Sequence, residues 1–245
     1  MNNLLVHVQP GVRLCDLAAD ALEHDLMYPP DPGEKTGSLG GNVSTNAGGM
    51  RAVKYGTTRD YVLAMTVVLP NGQILELGRS VTKTSSGYSL LHLMIGSEGT
   101  LGVITELTLK LIPNPKEDIS FILPFADIDA AISAVPKIKL AGLSPQSIEF
   151  MERDIVDSSA NYTGKIIPTV IDGKEAGAYI LVTLDGNDQD EIFQRAETLA
   201  EIGDEIGAYD TLVLSHPADK RAVWEARSAF LTVIEAETDL IDEMD

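Results

Sequence analysis

The residues able to do chemistry in this sequence gather in two glycine-bearing segments and one helical pair. The first segment runs from Asp31 to Gly49 and contains Asp31-Pro32-Gly33, Gly37-Ser38 and Gly40-Gly41-Asn42-Val43-Ser44-Thr45-Asn46-Ala47-Gly48-Gly49. Glycine lets backbone N–H groups approach a ligand with no Cβ in the way. Small hydroxyl and amide side chains hydrogen-bond phosphate or polyol oxygens without adding charge. Such a loop suits a pyrophosphate or a ribityl chain, and a tight structural turn is the competing reading. The second segment, Gly96-Ser97-Glu98-Gly99-Thr100-Leu101-Gly102-Val103-Ile104, repeats glycine every third residue and then runs into a strand pattern. Neither segment is a dinucleotide fingerprint, which needs G-x-G-x-x-G between a strand and a helix, nor a P-loop, which needs Gly-Lys-Ser/Thr. A nucleotide held here requires another architecture.

The helical pair is Trp224 and Arg227, which lie on one face at a spacing of three. A planar, permanently charged guanidinium is the side chain best suited to grip a carboxylate. The competing role is an ordinary ion pair with Glu225 or another carboxylate. The four histidines, His7, His24, His92 and His216, lack the close spacing of a metal site, so no base and no metal ligand is assigned from this chain. His92 is a reserve candidate because it lies near the second glycine segment, and Lys83 reads as an exposed strand-end lysine. Glu98 could cap a helix or orient backbone donors, and Cys15 falls on the apolar face of an early helix as inert core.

Elements of the right kind surround these residues. Residues 13–24 place Leu14, Leu17, Ala18, Ala21 and Leu22 at helical spacing behind Gly11, and 28–49 is too rich in Gly and Pro for anything but ordered loop. Residues 61–69 and 73–77 form a hairpin through Asn71-Gly72. A short helix over 90–95 and a strand over 102–112 follow, and the strand stops at Pro113 and Pro115. The Pro-Asn-Pro-Lys-Glu-Asp stretch reads as an inter-domain hinge. Beyond it come strand 119–125, helix 128–140, strand 147–151, strand 179–184, helix 191–202 and strand 211–214, the β-α-β-β-α-β order of a ferredoxin-like domain. A last helix spans 220–234.

Charge divides at the same place. Residues 1–116 hold 9 Lys/Arg and 10 Asp/Glu, whereas 117–245 hold 9 and 27, so nearly all of the formal −19 sits in the second half. Two domains, 1–116 and 117–245, are therefore expected. The acidic balance argues against a nucleic-acid partner. No apolar run reaches the roughly 18 residues of a membrane span, and Met1-Asn-Asn-Leu-Leu has no basic leader. One cysteine cannot form an internal disulfide. These features point to a cytoplasmic protein, free or peripheral to the membrane.

Asp31-Pro32-Gly33, Gly40 to Gly49, Tyr55-Gly56, Arg59-Asp60, Lys83, Gly87-Tyr88 and Gly96 to Thr105 together resemble the FAD-linked oxidases of the vanillyl-alcohol-oxidase (PCMH-type) fold. The closest resemblance is to their D-lactate dehydrogenase and glycolate oxidase branch, in order over about residues 5–115. It implies an α+β fold: the second half of a PCMH-type FAD-binding domain followed by a βαββαβ substrate or cap domain. It also implies an interior fragment, with a first FAD-binding subdomain upstream and a paired-histidine motif, carrying the catalytic base and any divalent-metal ligands, beyond Asp245. The implied activity transfers hydride from a small D-2-hydroxy acid to N5 of a non-covalent FAD, with electrons leaving through a partner protein or a quinone. Alternatives are a flavoenzyme of alkyl-glycerone-phosphate synthase or sugar-lactone oxidase type, and a non-catalytic docking subunit for an electron-transfer partner. The implied cofactor contacts are Asp31, Pro32, Gly37, Ser38, Gly40, Gly41, Asn42, Thr45, Asn46, Gly48, Gly49, Tyr55, Glu98, Gly99, Gly102, Val103 and Ile104. Tyr88 is a further ring that could stack on the flavin. Arg227 becomes the substrate-carboxylate anchor, with Trp224 beside it.

Overall fold

A computed structural model describes residues 3–81, 83, 85, 87–164 and 167–237. They divide into two compact units, Met1–Asn114 and Pro115–Asp245.

The first unit runs β1 (Leu5–Val8), α1 (Leu14–Leu22), β2 (Leu26–Met27), α2 (Leu39–Thr45), α3 (Ala52–Tyr55), a 3-10 turn (Thr58–Asp60), β3 (Val62–Val68), β4 (Ile74–Gly78), α4 (Leu90–Met94), β5 (Val103–Lys110) and β6 (Ile112–Pro113). Its main sheet has the order β1-β5-β3-β4, every neighbour antiparallel. The β3–β4 hairpin turns through Asn71-Gly72 as expected: Gly72 has φ +83°, and the Asn71 carboxamide oxygen accepts from the Gln73 amide at 3.0 Å. One sheet face meets Leu14, Leu17, Leu39, Val43, Leu91 and Met94 from the helices around Met65, Val67, Leu107 and Leu109. The α1 stripe is narrower than its periodicity suggested. Leu14, Leu17 and Ala21 are buried, but Ala18 and Leu22 are exposed and Cys15 is half-exposed beside Asp16, one step of about 100° off the stripe. Cys15 is therefore not a core residue. The expected hinge is also shorter, because Ile112–Pro113 pairs with Leu26–Met27 and the next strand opens at Glu117.

The second unit runs β7 (Glu117–Phe125), α5 (Ile128–Leu140), β8 (Ser147–Glu152), α6 (Arg153–Thr163), β9 (Val170–Ile171), β10 (Lys174–Glu175), β11 (Ala178–Gly186), α7 (Gln189–Ile206), β12 (Leu212–Leu214), α8 (Pro217–Ser228) and α9 (Phe230–Glu237). Its antiparallel sheet has the order β12-β7-β11-β8, the ferredoxin-like arrangement. Helices α5 and α7 cover one face through Ile138, Ile192 and Leu199. Val156, Val223, Ala226 and Phe230, from α6, α8 and α9, cover the other. Burial on both faces explains why 178–182 is an unbroken apolar run rather than an alternating one. Helix α6 and the β9–β10 hairpin fall where no element was expected. The hairpin turns at Asp172-Gly173, both at positive φ. The single helix expected over 220–234 is interrupted at Ala229. There the amide divides its bond between the Glu225 and Ala226 carbonyls, and the Ser159 hydroxyl takes the Ala226 carbonyl at 2.5 Å.

Candidate functional site

The expected loop over 28–49 is only partly loop: residues 39–45 form α2 despite Gly40-Gly41. Ser38 starts the helix by accepting from the Gly41 amide at 3.1 Å, and Leu39 and Val43, one turn apart, are fully buried. Gly40 is required because a Cβ there would lie 2.6 Å from Pro10 Cβ. The first-turn amides are spent internally, Leu39 on the Val12 carbonyl and Gly40 on the Pro10 carbonyl. Gly37 accepts from the Leu14 amide at 2.9 Å, which fixes the approach to the helix. Gly41 and Thr45, four apart on α2, are exposed, whereas the Asn42 side-chain nitrogen is buried with no hydrogen-bond partner.

Asn46 ends α2 in the left-handed conformation at φ 52°. Its side-chain oxygen accepts from the Arg59 amide at 2.9 Å and the Thr57 hydroxyl at 3.2 Å. The Thr58 hydroxyl donates to the Ala47 carbonyl at 2.7 Å. Asp31 and Gly49 form a parallel bridge next to Pro32, and the Asp31 carboxylate meets Lys35 at 2.5 Å and Arg51 at 3.7 Å. That carboxylate is a structural clasp on the loop. Tyr55 is half-buried and its carbonyl accepts from the Tyr61 hydroxyl at 2.8 Å.

The two glycine segments meet directly. The Gly96 amide donates to the Val43 carbonyl at 3.0 Å and the Glu98 amide to the Ser44 carbonyl at 2.8 Å, so the C-terminal turn of α2 seats on residues 96–98. Arg59 Nη2 reaches the Ile95 carbonyl at 3.3 Å and closes the junction from the other side. Glu98 caps no helix. It is held at φ 53° with its side chain exposed, and Gly99 follows at φ 73° with open space around it. Gly102 is needed for packing, since a Cβ would come within 2.6 Å of Val67 Cγ1. Val103 is exposed, and Ile104 packs on the core beside Val67. Tyr88, His92 and Lys83 are exposed, and His92 Nδ1 lies 2.6 Å from the Ser89 hydroxyl.

Behind the junction, Tyr28 and Tyr61 pack edge to face at 6.0 Å. Burial raises the hydroxyl pKa of Tyr28 and pushes that of Tyr61 up to about 12, Asp60 adding to the latter. The fold thus favours neutral phenols, a contribution fully present below the ordinary value near pH 10 and lost as pH rises toward 12. The expected result is a thermal midpoint indifferent to these two groups below pH 10 that falls between pH 10 and 12, steeper than in Tyr61→Phe. Equal slopes would refute the assignment.

In the second unit, α8 places Trp224 and Arg227 against the sheet. Trp224 Nε1 donates to the Ser120 hydroxyl at 3.3 Å, which lies 2.8 Å from the Thr183 hydroxyl. Arg227 donates from Nε at 2.9 Å and Nη2 at 2.6 Å to Glu149 Oε2, and its guanidinium lies 5.2 Å from the Phe230 ring centre. The partner is thus Glu149 on β8, 78 residues away, rather than Glu225 on the same helix. No signal in the sequence singled out Glu149 or Ser120, and Arg59 stood out only within the Arg59-Asp60 motif, with no partner assigned to it. Among the described residues no group of three or more His, Cys, Asp or Glu side chains is placed to hold a metal ion, and no helix is long and apolar enough to cross a membrane.

A glycine-rich antiparallel α/β unit followed by a ferredoxin-like unit is the architecture of the PCMH-type flavoproteins. Solved structures of alkyldihydroxyacetonephosphate synthase share it, one with a TM-score of 0.73 at 20% identity over 94% of this chain and 44% of that one. Residues 114–242 match the family of FAD linked oxidases, C-terminal domain, and residues 1–78 match the FAD binding domain. The chain belongs to the FAD-linked oxidase family. It is 55% identical to a D-lactate dehydrogenase of Anaerostipes hadrus over 99% of this chain and 51% of that protein. It is 38% identical to a D-lactate dehydrogenase of Archaeoglobus fulgidus over 89% and 46%, and 37% identical to a glycolate oxidase subunit of Bacillus subtilis over 95% and 48%. The chain spans about half the length of the curated relatives it matches.

Proposed function

We propose that this chain forms part of a FAD-dependent dehydrogenase of small D-2-hydroxy acids, of the D-lactate or glycolate class. The observation that carries this reading is the hydrogen-bonded junction of residues 31–49 with residues 96–104, which leaves Gly41, Thr45, Glu98 and Gly99 exposed. Two features of the junction fit FAD. Asn42 offers a buried, unpartnered side-chain amide, and Gly48 is a glycine that neither backbone strain nor crowding demands, since a Cβ there would meet only Thr57 Cγ2 at 3.7 Å. FAD, when bound, supplies the hydride acceptor. Residues 31–49, Tyr55 and 98–104 hold it non-covalently through neutral donors, and Arg227 with Trp224 receives the substrate carboxylate. Residues 1–116 are the flavin part and 117–245 the substrate part, with an electron-acceptor protein or a quinone as the partner. The D-lactate dehydrogenases and glycolate oxidase subunit among its relatives support this substrate class. The 27 acidic residues against 9 basic ones in 117–245 disfavour a phosphate-bearing substrate of the synthase type.

Bleaching of the flavin-loaded protein under anaerobic D-lactate or glycolate tests the activity, and no bleaching with any 2-hydroxy acid would discard it. The cofactor contact has its own test. Gly48→Ala is expected to weaken flavin retention roughly tenfold while moving the thermal midpoint of the flavin-free protein by less than about 2 °C. Unchanged flavin affinity measured by fluorescence would remove Gly48 from the site.

A further inference from the structure

Arginine carries five N–H donors arranged along two usable edges, and which edge is free decides what a second carboxylate can grip. In Arg227 one edge is occupied. Nε–H and one Nη2–H converge on Oε2 of Glu149, whose side chain is only 14% exposed, while the Arg227 side chain keeps 33% exposure. The Phe230 ring lies 5.2 Å from the guanidinium carbon. Backbone restraint accompanies this, because the Ser159 hydroxyl holds the Ala226 carbonyl one residue before Arg227. What remains is the opposite edge, two N–H groups on Nη1 and one on Nη2, the geometry a carboxylate fork needs.

We propose that Glu149 is a positioning residue: it takes the Nε–Nη2 edge of Arg227 so that the Nη1–Nη2 edge is presented, at a fixed angle, to the carboxylate of the 2-hydroxy acid. The inference rests on the reading that Arg227 receives that carboxylate. Its physical basis is the composition of the unit. A long cation among 27 acidic residues has many partners to choose from, and a largely buried carboxylate on the edge strand β8 selects one geometry among them. Glu149 sits opposite Leu181 in the β8–β11 ladder, so its position is set by the sheet.

The test measures equilibrium binding of oxalate, a redox-inert dicarboxylate, by calorimetry on the flavin-loaded protein, alongside KM and kcat for D-lactate. In Glu149→Ala the oxalate Kd and the D-lactate KM are expected to rise roughly tenfold or more with kcat held within about threefold, and Glu149→Gln, which keeps an acceptor oxygen, should recover most of the loss. Should the alanine variant fail to fold, Glu149→Asp carries the test. It keeps the charge but retracts the carboxylate by about one methylene, and KM should rise roughly fivefold at unchanged kcat. An unaltered Kd in Glu149→Ala, or an unaltered KM in Glu149→Asp, overturns the proposal. So does tighter oxalate binding, which would make Glu149 a competitor that substrate displaces. If Arg227→Ala itself leaves oxalate binding unchanged, the underlying reading of the site falls and takes this inference with it. If Arg227→Ala weakens oxalate and Glu149→Ala does not, only the positioning role is lost.

Discussion

Gly49→Ala should lower the thermal midpoint of the first unit by more than about 10 °C and abolish flavin retention, the largest stability effect expected of any single methyl group in this chain. Gly49 has φ +115°, outside even the left-handed helical well, and a Cβ there would lie 2.1 Å from the Asp31 carbonyl oxygen and 2.8 Å from the Pro32 nitrogen. Both neighbours are backbone, so no side chain can rotate away. The strained φ alone costs on the order of 1–3 kcal/mol. Relieving the clash means breaking the Asp31–Gly49 bridge, which Lys35 and Arg51 clasp through the Asp31 carboxylate. The sum, roughly 3–5 kcal/mol, is a large part of the 5–15 kcal/mol that holds an ordinary domain folded. Gly72→Ala is the control. Gly72 has φ +83° with nothing within 4 Å of where a methyl would sit, so only the conformational cost of about 1 kcal/mol applies. Differential scanning calorimetry of both variants decides the matter, and equal losses would show that the 31–49 clasp contributes nothing beyond its φ angle.

What could be read in advance divides along physical lines. The β3–β4 hairpin and the β-α-β-β-α-β order were legible because their signals are local: Asn71-Gly72 supplies a turn, and apolar runs of the right length mark strands. Helix α2 was not, because Gly40, Gly41 and Asn42 are poor helix formers. Its stability comes from Leu39 and Val43 in the core and from Pro10 against Gly40, contacts that propensity does not encode. The β9–β10 hairpin does carry a local signal, Asp172-Gly173, whose positive φ angles form its turn. At the site, residue types sufficed to pick out the two glycine segments. Their bonding to each other, Gly96 to Val43 and Glu98 to Ser44, rests on sequence separations of about fifty residues. The same holds for the partner of Arg227, which lies on a strand chosen by sheet register rather than by helical spacing.

Arg227→Ala should reduce kcat/KM for D-lactate by roughly 10²–10³, mostly through KM, because a forked, charge-assisted contact to the substrate carboxylate is worth about 3–4 kcal/mol. The same change strands Glu149, 14% exposed, without its guanidinium, and should cost a further 1–3 kcal/mol of stability in the second unit. Fluorescence of Trp224, the one tryptophan in the chain, reports that unit's unfolding directly. Arg227→Lys separates the two effects. An ammonium can still satisfy Glu149, so most of the stability should return, but it cannot offer one edge to Glu149 and the other to a substrate, so kcat/KM should stay roughly tenfold or more below wild type. A lysine variant that restores both quantities would mean that charge alone matters at this position. An alanine variant that loses stability while keeping the wild-type KM would reduce Arg227 to the structural partner of Glu149 and move the carboxylate site elsewhere.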